Sequence, residues 1–130
     1  MNHLLYTELL ARFIFSRKHY SVENNRVKHG AFMPLSNPDT SVFEVSIFRI
    51  SGLADEHIWS IGDTEVAQRS GRTLYARGDI SVGSVESNQL RVTIDDLPVR
   101  HGTITGWPEE ESEQKLIAIE LASSASLRVR

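Results

Sequence analysis

An α+β fold is what the sequence predicts: one mixed, mostly antiparallel sheet of about four to five strands, with helices mainly on one face. Three observations predict it. The run Ser41–Gly52 (SVFEVSIFRISG) is the longest β-like stretch in the chain. An amphipathic helical pattern follows Pro108. Between them, strand-like and helix-like segments succeed one another without the regular alternation of a βαβ array.

The run Ser41–Gly52 reads as a central strand feeding a helix. Val42, Phe43, Val45, Ile47, Phe48 and Ile50 are β-branched or aromatic or both in kind, side chains that suit a pleated, packed surface. Phe43, Val45 and Ile47 point one way at period two, an apolar face made to meet helices. Val42, Glu44, Ser46, Phe48 and Ile50 point the other way; that face is polar at its middle and suits incomplete cover or the lining of a cleft. Asn37-Pro38-Asp39-Thr40 ahead of it is a turn, in which Pro sets φ and the Asx side chains close local bonds.

Taken in order, Leu4–Leu10 predicts a short helix and Arg12–Ser16 a strand. Arg17–Leu35 has no sustained period and reads as a long irregular loop, a kind that is often functional. The apolar plug Ala31-Phe32-Met33-Pro34 pins it to the core. Leu53–Ile61 reads as a helix, with Asp55 and Glu56 complementing the macrodipole in its first turn and Gly62 as its stop. Thr73–Arg77 is a strand, and Ser81–Asn88 a short helix with Val82 and Val85 inward. Leu90–Ile94 alternates cleanly, as a half-buried strand does. Asp95–Pro98 is a turn and Arg100–Thr105 a strand. Pro108 takes the first position of the last helix, and Glu109, Glu110 and Glu111 its first turn. Ile117, Leu121 and Ala125 form one row there, with Ala118 and Ala122 beside it, and Leu116 and Ile119 widen the apolar surface. Leu127–Arg130 is a short tail expected to fray.

At 130 residues the chain is a single domain, 1–130, long enough for its own core. Hydrophobic content of 40% and charged content of 24% set aside the disordered and membrane-spanning classes. Cysteine is absent, which excludes disulfides, thiolate metal sites and a cysteine nucleophile, and suits a reducing compartment. No apolar run approaches the ~20 residues of a membrane helix. The N-terminal residues carry an early acid and no basic n-region, so a signal peptide is not expected there. A cytoplasmic protein without a membrane partner is the expectation. The net charge of −3 divides into +3 over residues 1–30 and −6 over the rest, a basic end on an acidic body that could face an anionic partner.

The five histidines, His3, His19, His29, His57 and His101, show no i, i+4 pair and no His-Glu-x-x-His spacing, so no metal is expected. Neither a Gly-x-Ser-x-Gly elbow nor a Walker A loop is present, and no cofactor is expected. Two constellations remain. Arg17, Lys18, His19, Arg26 and Lys28 sit on or beside the irregular loop, where they could cradle a phosphate or an acidic partner. Their plainer role is to keep the loop soluble. Tyr20 and Phe32 are the aromatics beside them, few for stacking single-stranded nucleic acid. The second constellation is Arg100-His101-Gly102-Thr103-Ile104-Thr105-Gly106-Trp107-Pro108, a strand running into a helix start, which is a natural anion site. His101 would serve there as acid or base and Trp107 as lid; the plainer roles are a histidine bonded in the sheet and a tryptophan packed at the helix start. Arg49 ends the central strand, placed to pair with Asp55 or Glu56 or to face the same cleft. For the two constellations to act together, the basic loop must fold back beside the start of the last helix.

Arg12-Phe13-Ile14-Phe15-Ser16, Val27–Pro34, Ser41-Val42 with Phe48-Arg49, and Arg100–Pro108 together resemble a family of small uncharacterised bacterial proteins. Its members share an Ala-Phe pair, a Leu-Ser-Val step and an Ala-His before Gly; here Arg100 stands in place of the alanine before His101. The resemblance implies a freestanding bacterial domain and brings no activity or catalytic residue with it. Three functions are expected in turn. The first is a small binding domain that recognises an anionic ligand or acidic protein through its basic loop. The second is an enzyme on a phosphate-bearing substrate such as RNA or a dinucleotide, with His19 or His101 as acid or base. The third is an immunity- or antitoxin-type partner whose acidic body meets a basic effector.

Overall fold

The computed structural model describes residues 4–130; His3 lies outside them. The chain runs through β1 (Leu9–Ile14), β2 (Tyr20–Ser21), β3 (Arg26–Val27), β4 (Leu35–Ser36), β5 (Phe43–Arg49), α1 (Asp55–Ile61), α2 (Gln68–Ser70), β6 (Ala76–Ser81), α3 (Val82–Glu86), β7 (Arg91–Ile94), β8 (His101–Thr105), α4 (Glu111–Ser124) and β9 (Ser126–Val129). The main sheet has the order β7-β8-β5-β1-β6-β9, with β4 paired to the first residues of β5. Its pairings are antiparallel. This is the α+β fold with one main sheet, six strands across with β4 as a seventh beside β5, rather than four or five.

Alternation along the strands makes two cores. Leu10, Ile14, Val45, Ile47, Ile80 and Ile104 turn to one face and pack against Phe32, Val82 and Val85, Trp107, and Ala118 and Leu121 of α4. Ala11, Phe13, Phe48 and Ile50 turn to the other, against Ile58 and Ile61 of α1 and against Leu74. Helices therefore cover both faces. The plug of the long loop is in place: Ala31 and Phe32 are buried at the end of a 3-10 turn, His29–Phe32. The β2–β3 ribbon and the turn Arg17–His19 organise the rest of that loop.

Several segments depart from the sequence reading, each because of packing. Leu4–Leu10 is no helix. Glu8 N bonds Leu5 O in a turn, and Leu9 N donates to Ser51 Oγ at 2.7 Å. A segment this short cannot hold a helix unaided, and Leu10 is fully buried as a strand residue. β1 thus begins at Leu9 rather than Arg12, and β6 at Ala76 rather than Thr73.

The helix over Asp55 does not stop at Gly62, which keeps φ −60. A Cβ there would stand 2.7 Å from Leu74 Cδ2 and 2.8 Å from Phe13 Cε1, so this glycine lets the helix approach the sheet. The chain continues through a π-helical stretch, Gly62–Ala67, into α2 and ends at Gly71, whose φ of 69 is the left-handed cap.

α4 starts at Glu111, with Pro108 ahead of the first turn and its carbonyl accepting from Gln114 Nε2 at 2.8 Å. Leu116 and Ile119 are 66% and 42% exposed, so they do not widen the packed face. The tail does not fray: it is β9, paired to β6, with Arg130 N bonded to Tyr75 O. Among the described residues no helix is long and apolar enough to cross a membrane.

Candidate functional site

The sheet opens between β1 and β5. The two pair only at Leu10↔Arg49 and Ala11↔Phe48. Arg49 N donates toward β8, to Arg100 O at 2.9 Å, and Ile50 N donates toward β1, to Leu9 O at 3.0 Å. Backbone groups of β5 therefore alternate in direction, and the Ser46 carbonyl faces the side that β1 has left. Arg12 fills the fork. Its Nη1 donates to Ser46 O at 3.1 Å and its Nε to Ala31 O at 2.8 Å. A guanidinium takes the place of a ladder rung, giving the Ser46 carbonyl the donor that β1 does not supply.

Around it lies a cleft of about 460 Å³. Phe13, Phe15 and Phe48 make apolar wall, with Met33 and Leu35 opposite in sequence on the loop and β4. Arg12, Arg72, Glu44, Glu65, Ser46 and His101 supply the polar lining. Glu44 and Ser46 are the polar middle of β5 that the alternation of the strand marks out. The Arg72 guanidinium lies over the Phe15 ring at 4.3 Å. Burial first, and then the Arg72 charge, lower the Arg12 guanidinium to about 10, so it stays charged at neutral pH. Among the described residues no carboxylate forms an ion pair with Arg12 or Arg72.

The acids of the cleft are otherwise engaged. Glu44 accepts from Asn37 Nδ2 at 2.9 Å. Glu65 stands 3.3 Å from Arg69 Nη2, off the line of a hydrogen bond, so its buried Oε2 has charge compensation without a bonded donor. His101 enters from β8. Its Nδ1 is 2.9 Å from Asp95 Oδ1 and its ring meets Phe48 edge-on at 5.3 Å between centroids. Burial raises the Asp95 carboxyl, but the bonds from His101 and from Leu97 N outweigh it, and the net direction is downward.

Of the residues singled out from the sequence, His101 lines this cleft. Arg49 pairs with Glu8 at 2.9 Å and not with Asp55 or Glu56. Arg100 lines a neighbouring hollow with His57, Arg69 and Leu97. Trp107 is buried and donates Nε1 to Ile104 O at 3.0 Å, a packing role. Arg17 lies over Tyr75 at 4.9 Å, and Lys18 is exposed. The His19 ring rests on Gly30, where a Cβ would come within 2.6 Å of it; burial, then the charges of Arg12 and His29, lower its pKa. Arg26 and Lys28 line a groove against Ile119, Ala122 and Ser123.

The basic loop thus meets the later half of α4 rather than its start, and the two constellations stay separate. Bases belong by the carbonyl end of a helix, where the dipole is negative, and the start of α4 is occupied by its own acids. Sequence reasoning missed Arg12 and Arg72. Arg12 carried a signal: it shares the strand phase of Leu10 and Ile14, both buried, and a charge at a buried phase needs a partner. Arg72 had no such signal, since it reaches the cleft from beyond Gly71.

Among the described residues no group of three or more His, Cys, Asp or Glu is placed to hold a metal ion. The chain matches no protein-family model, no curated protein and no solved structure.

Proposed function

We propose that this protein is a small binding domain whose ligand is anionic at one end and apolar at the other, seated in the cleft between β1 and β5. The observation that carries the reading is Arg12. Its charge sits within the sheet, held by two backbone carbonyls and by no carboxylate. Arg12 is half-buried, and a cation partly removed from water without a counter-charge is destabilised, a cost that an arriving anion offsets. The guanidinium fork suits a carboxylate or phosphate, and Arg72 adds a second positive charge. The phenylalanine walls suit an apolar body, and the volume suits a small molecule. Recognition is in this reading a property of the cleft rather than of the basic loop, and a freestanding domain of the resembled kind would serve it.

The test is titration of a panel of aryl phosphates and aryl carboxylates at low salt, followed by calorimetry and amide chemical shifts. Wild-type protein is expected to bind at least one of them, with shifts at Phe13, Ser46 and His101, and to ignore the neutral analogue. Arg12→Gln and, independently, the exposed Arg72→Ala are each expected to weaken binding by roughly tenfold or more, about 1.4 kcal/mol. Failure of every panel member to shift those amides would sink the reading.

A second reading has its own observation. His101 has Nδ1 against Asp95 and, among the described residues, Nε2 without a hydrogen-bond partner, the orientation of a general base, and it lines the same cleft. A phosphate ester or dinucleotide would then be turned over. His101→Gln would abolish turnover while leaving binding intact; equal turnover by wild type and variant would dismiss it.

A further inference from the structure

We infer that two copies of this chain pair through α4, antiparallel about a two-fold axis, with the acidic start of each helix over the basic hairpin of the other. The inference uses a surface apart from the cleft. α4 has 14 residues, so it is about 21 Å long. It turns Gln114, Ala118, Leu121 and Ala122 inward. At 100° per residue the outward stripe is Ser112, Leu116, Glu120 and Ser123, with Ile119 on its edge beside the β2–β3 ribbon. Leu116 and Ile119 are large, apolar and exposed, 66% and 42%. The serines at either end are small enough to let a second helix approach.

Charge divides along the same stripe. Glu109, Glu110, Glu111 and Glu113 at the start are exposed, and among the described residues none forms an ion pair. Arg26 and Lys28, exposed on the β2–β3 ribbon, flank the later half of the helix and likewise have no carboxylate partner there. Between ribbon and helix is an open groove of about 650 Å³ floored by Val27, Ile119 and Ala122. The surface thus has acids at the start of α4, the ribbon's two bases beside its later half, and Leu116 and Ile119 between; on the helix itself Lys115 and Glu120 are exposed and the last turn carries no base.

Such a surface complements itself when reversed. A two-fold axis between Leu116 and Ile119 sets each Leu116 against the partner's Ile119 and each Ser112 against the partner's Ser123. It repeats the acid-to-base contact at both ends, as an isologous interface requires. A parallel arrangement would lay acids on acids.

Sedimentation of the full chain over a range of concentrations tests this. Changing salt from about 10 mM to about 1 M shortens the screening length from about 30 Å to about 3 Å. A dimer is expected at low salt, dissociating at high salt. Leu116→Lys, at an exposed site, is expected to leave a folded monomer, with circular dichroism confirming the fold. Glu111→Lys with Glu113→Lys should weaken pairing by roughly tenfold or more, as should Arg26→Glu with Lys28→Glu; all four together should restore it. Because the chain has no cysteine, Leu116→Cys gives a single reporter, and a short bis-maleimide should link two copies. A monomer at every concentration in low salt overturns the inference. So does a dimer indifferent to both charge reversals, and so does growth beyond two copies.

Discussion

Arg77 shows what a buried arginine looks like when the fold supplies its counter-charges. It is 2% exposed on β6. Nε donates to Asp79 at 3.0 Å, Nη2 donates to Asp55 at 2.7 Å, and the guanidinium lies 4.6 Å over Trp59. Nη1 is buried without a partner. The two acids respond in opposite directions. Burial drives the Asp79 carboxyl up and Arg77 brings it only partly back, whereas the hydrogen bond from Arg77 draws the solvent-exposed Asp55 down. Asp79 is therefore the partner whose charge depends on Arg77. Arg77→Met, which keeps the bulk, leaves that carboxylate buried alone and is expected to cost about 3–5 kcal/mol, read as a lower urea midpoint. Arg77→Met with Asp79→Leu should recover most of it, and Asp55→Ala should barely move the midpoint. Arg12, half-buried on the other face, has backbone carbonyls where Arg77 has carboxylates, and that contrast is why the proposed cleft reading rests on it. His101, singled out in the sequence as a histidine on the strand that leads to α4, lines the cleft. The strand phase of Arg12 was in the sequence, but its partners, Ala31 and Ser46, are distant in sequence and are joined to it only by folding.

Elements were legible where their own residues decide them. β7 and β8 alternate along half-covered surfaces, β5 is a long run of β-forming residues, and α3 has a serine cap, Ser81 Oγ accepting from Ser84 N at 3.1 Å, with Val82 and Val85 turned in. They were illegible where a neighbour decides. Gly62 looks like a stop in the sequence and is a contact in the fold, and β9 exists because β6 offers it an edge. Gly102 separates the two kinds of glycine. It lies in β8, and a Cβ on it would come 2.5 Å from Thr93 O and 2.6 Å from Ile94 Cδ1 of β7. A strand backbone cannot yield as a side chain does. Gly102→Ala is expected to cost about 3 kcal/mol, the upper end for overpacking, and to raise amide exchange along β7. Gly71→Ala meets nothing within 4 Å, yet its φ of +69 makes alanine strained by about 1 kcal/mol. Denaturation midpoints and exchange together distinguish them, since Gly71→Ala should leave β7 protected. Equal loss at both positions would contradict the close approach of β7.

At the scale of the whole molecule, the last residues close the structure. β9 completes one side of the sheet, Arg130 pairs with Asp63 of the π-helical stretch, and its guanidinium approaches Trp59 at 5.6 Å. The tail therefore ties sheet to helix, and acid should loosen that tie. The hydrogen bond from Arg130 holds the Asp63 carboxyl low, and Asp55 is held low by Arg77. Asp95 also ends low, because its hydrogen bonds exceed the upward push of burial. A carboxyl lowered by folding contributes stability above its unfolded pKa, near 3.9, and loses it as pH falls through the lower folded value. Asp79 has the opposite sign. Its raised carboxyl contributes below the unfolded pKa, and that contribution is lost as pH rises through the folded value. Urea midpoints are expected to fall as pH drops from about 5 to about 2, the range over which lowered aspartates take up protons. Asp79→Asn removes the group that opposes this decline, so the fall should become steeper. Arg130→Ala removes the cause of the Asp63 shift, so the fall should become shallower. The dependence is modest in size because Asp55, Asp63 and Asp95 are largely solvated, where water and salt screen the pairs. A midpoint that rose on acidification in the wild type and in Arg130→Ala, but not in Asp79→Asn, would mean that Asp79, and not the tail and its neighbours, governs the acid response.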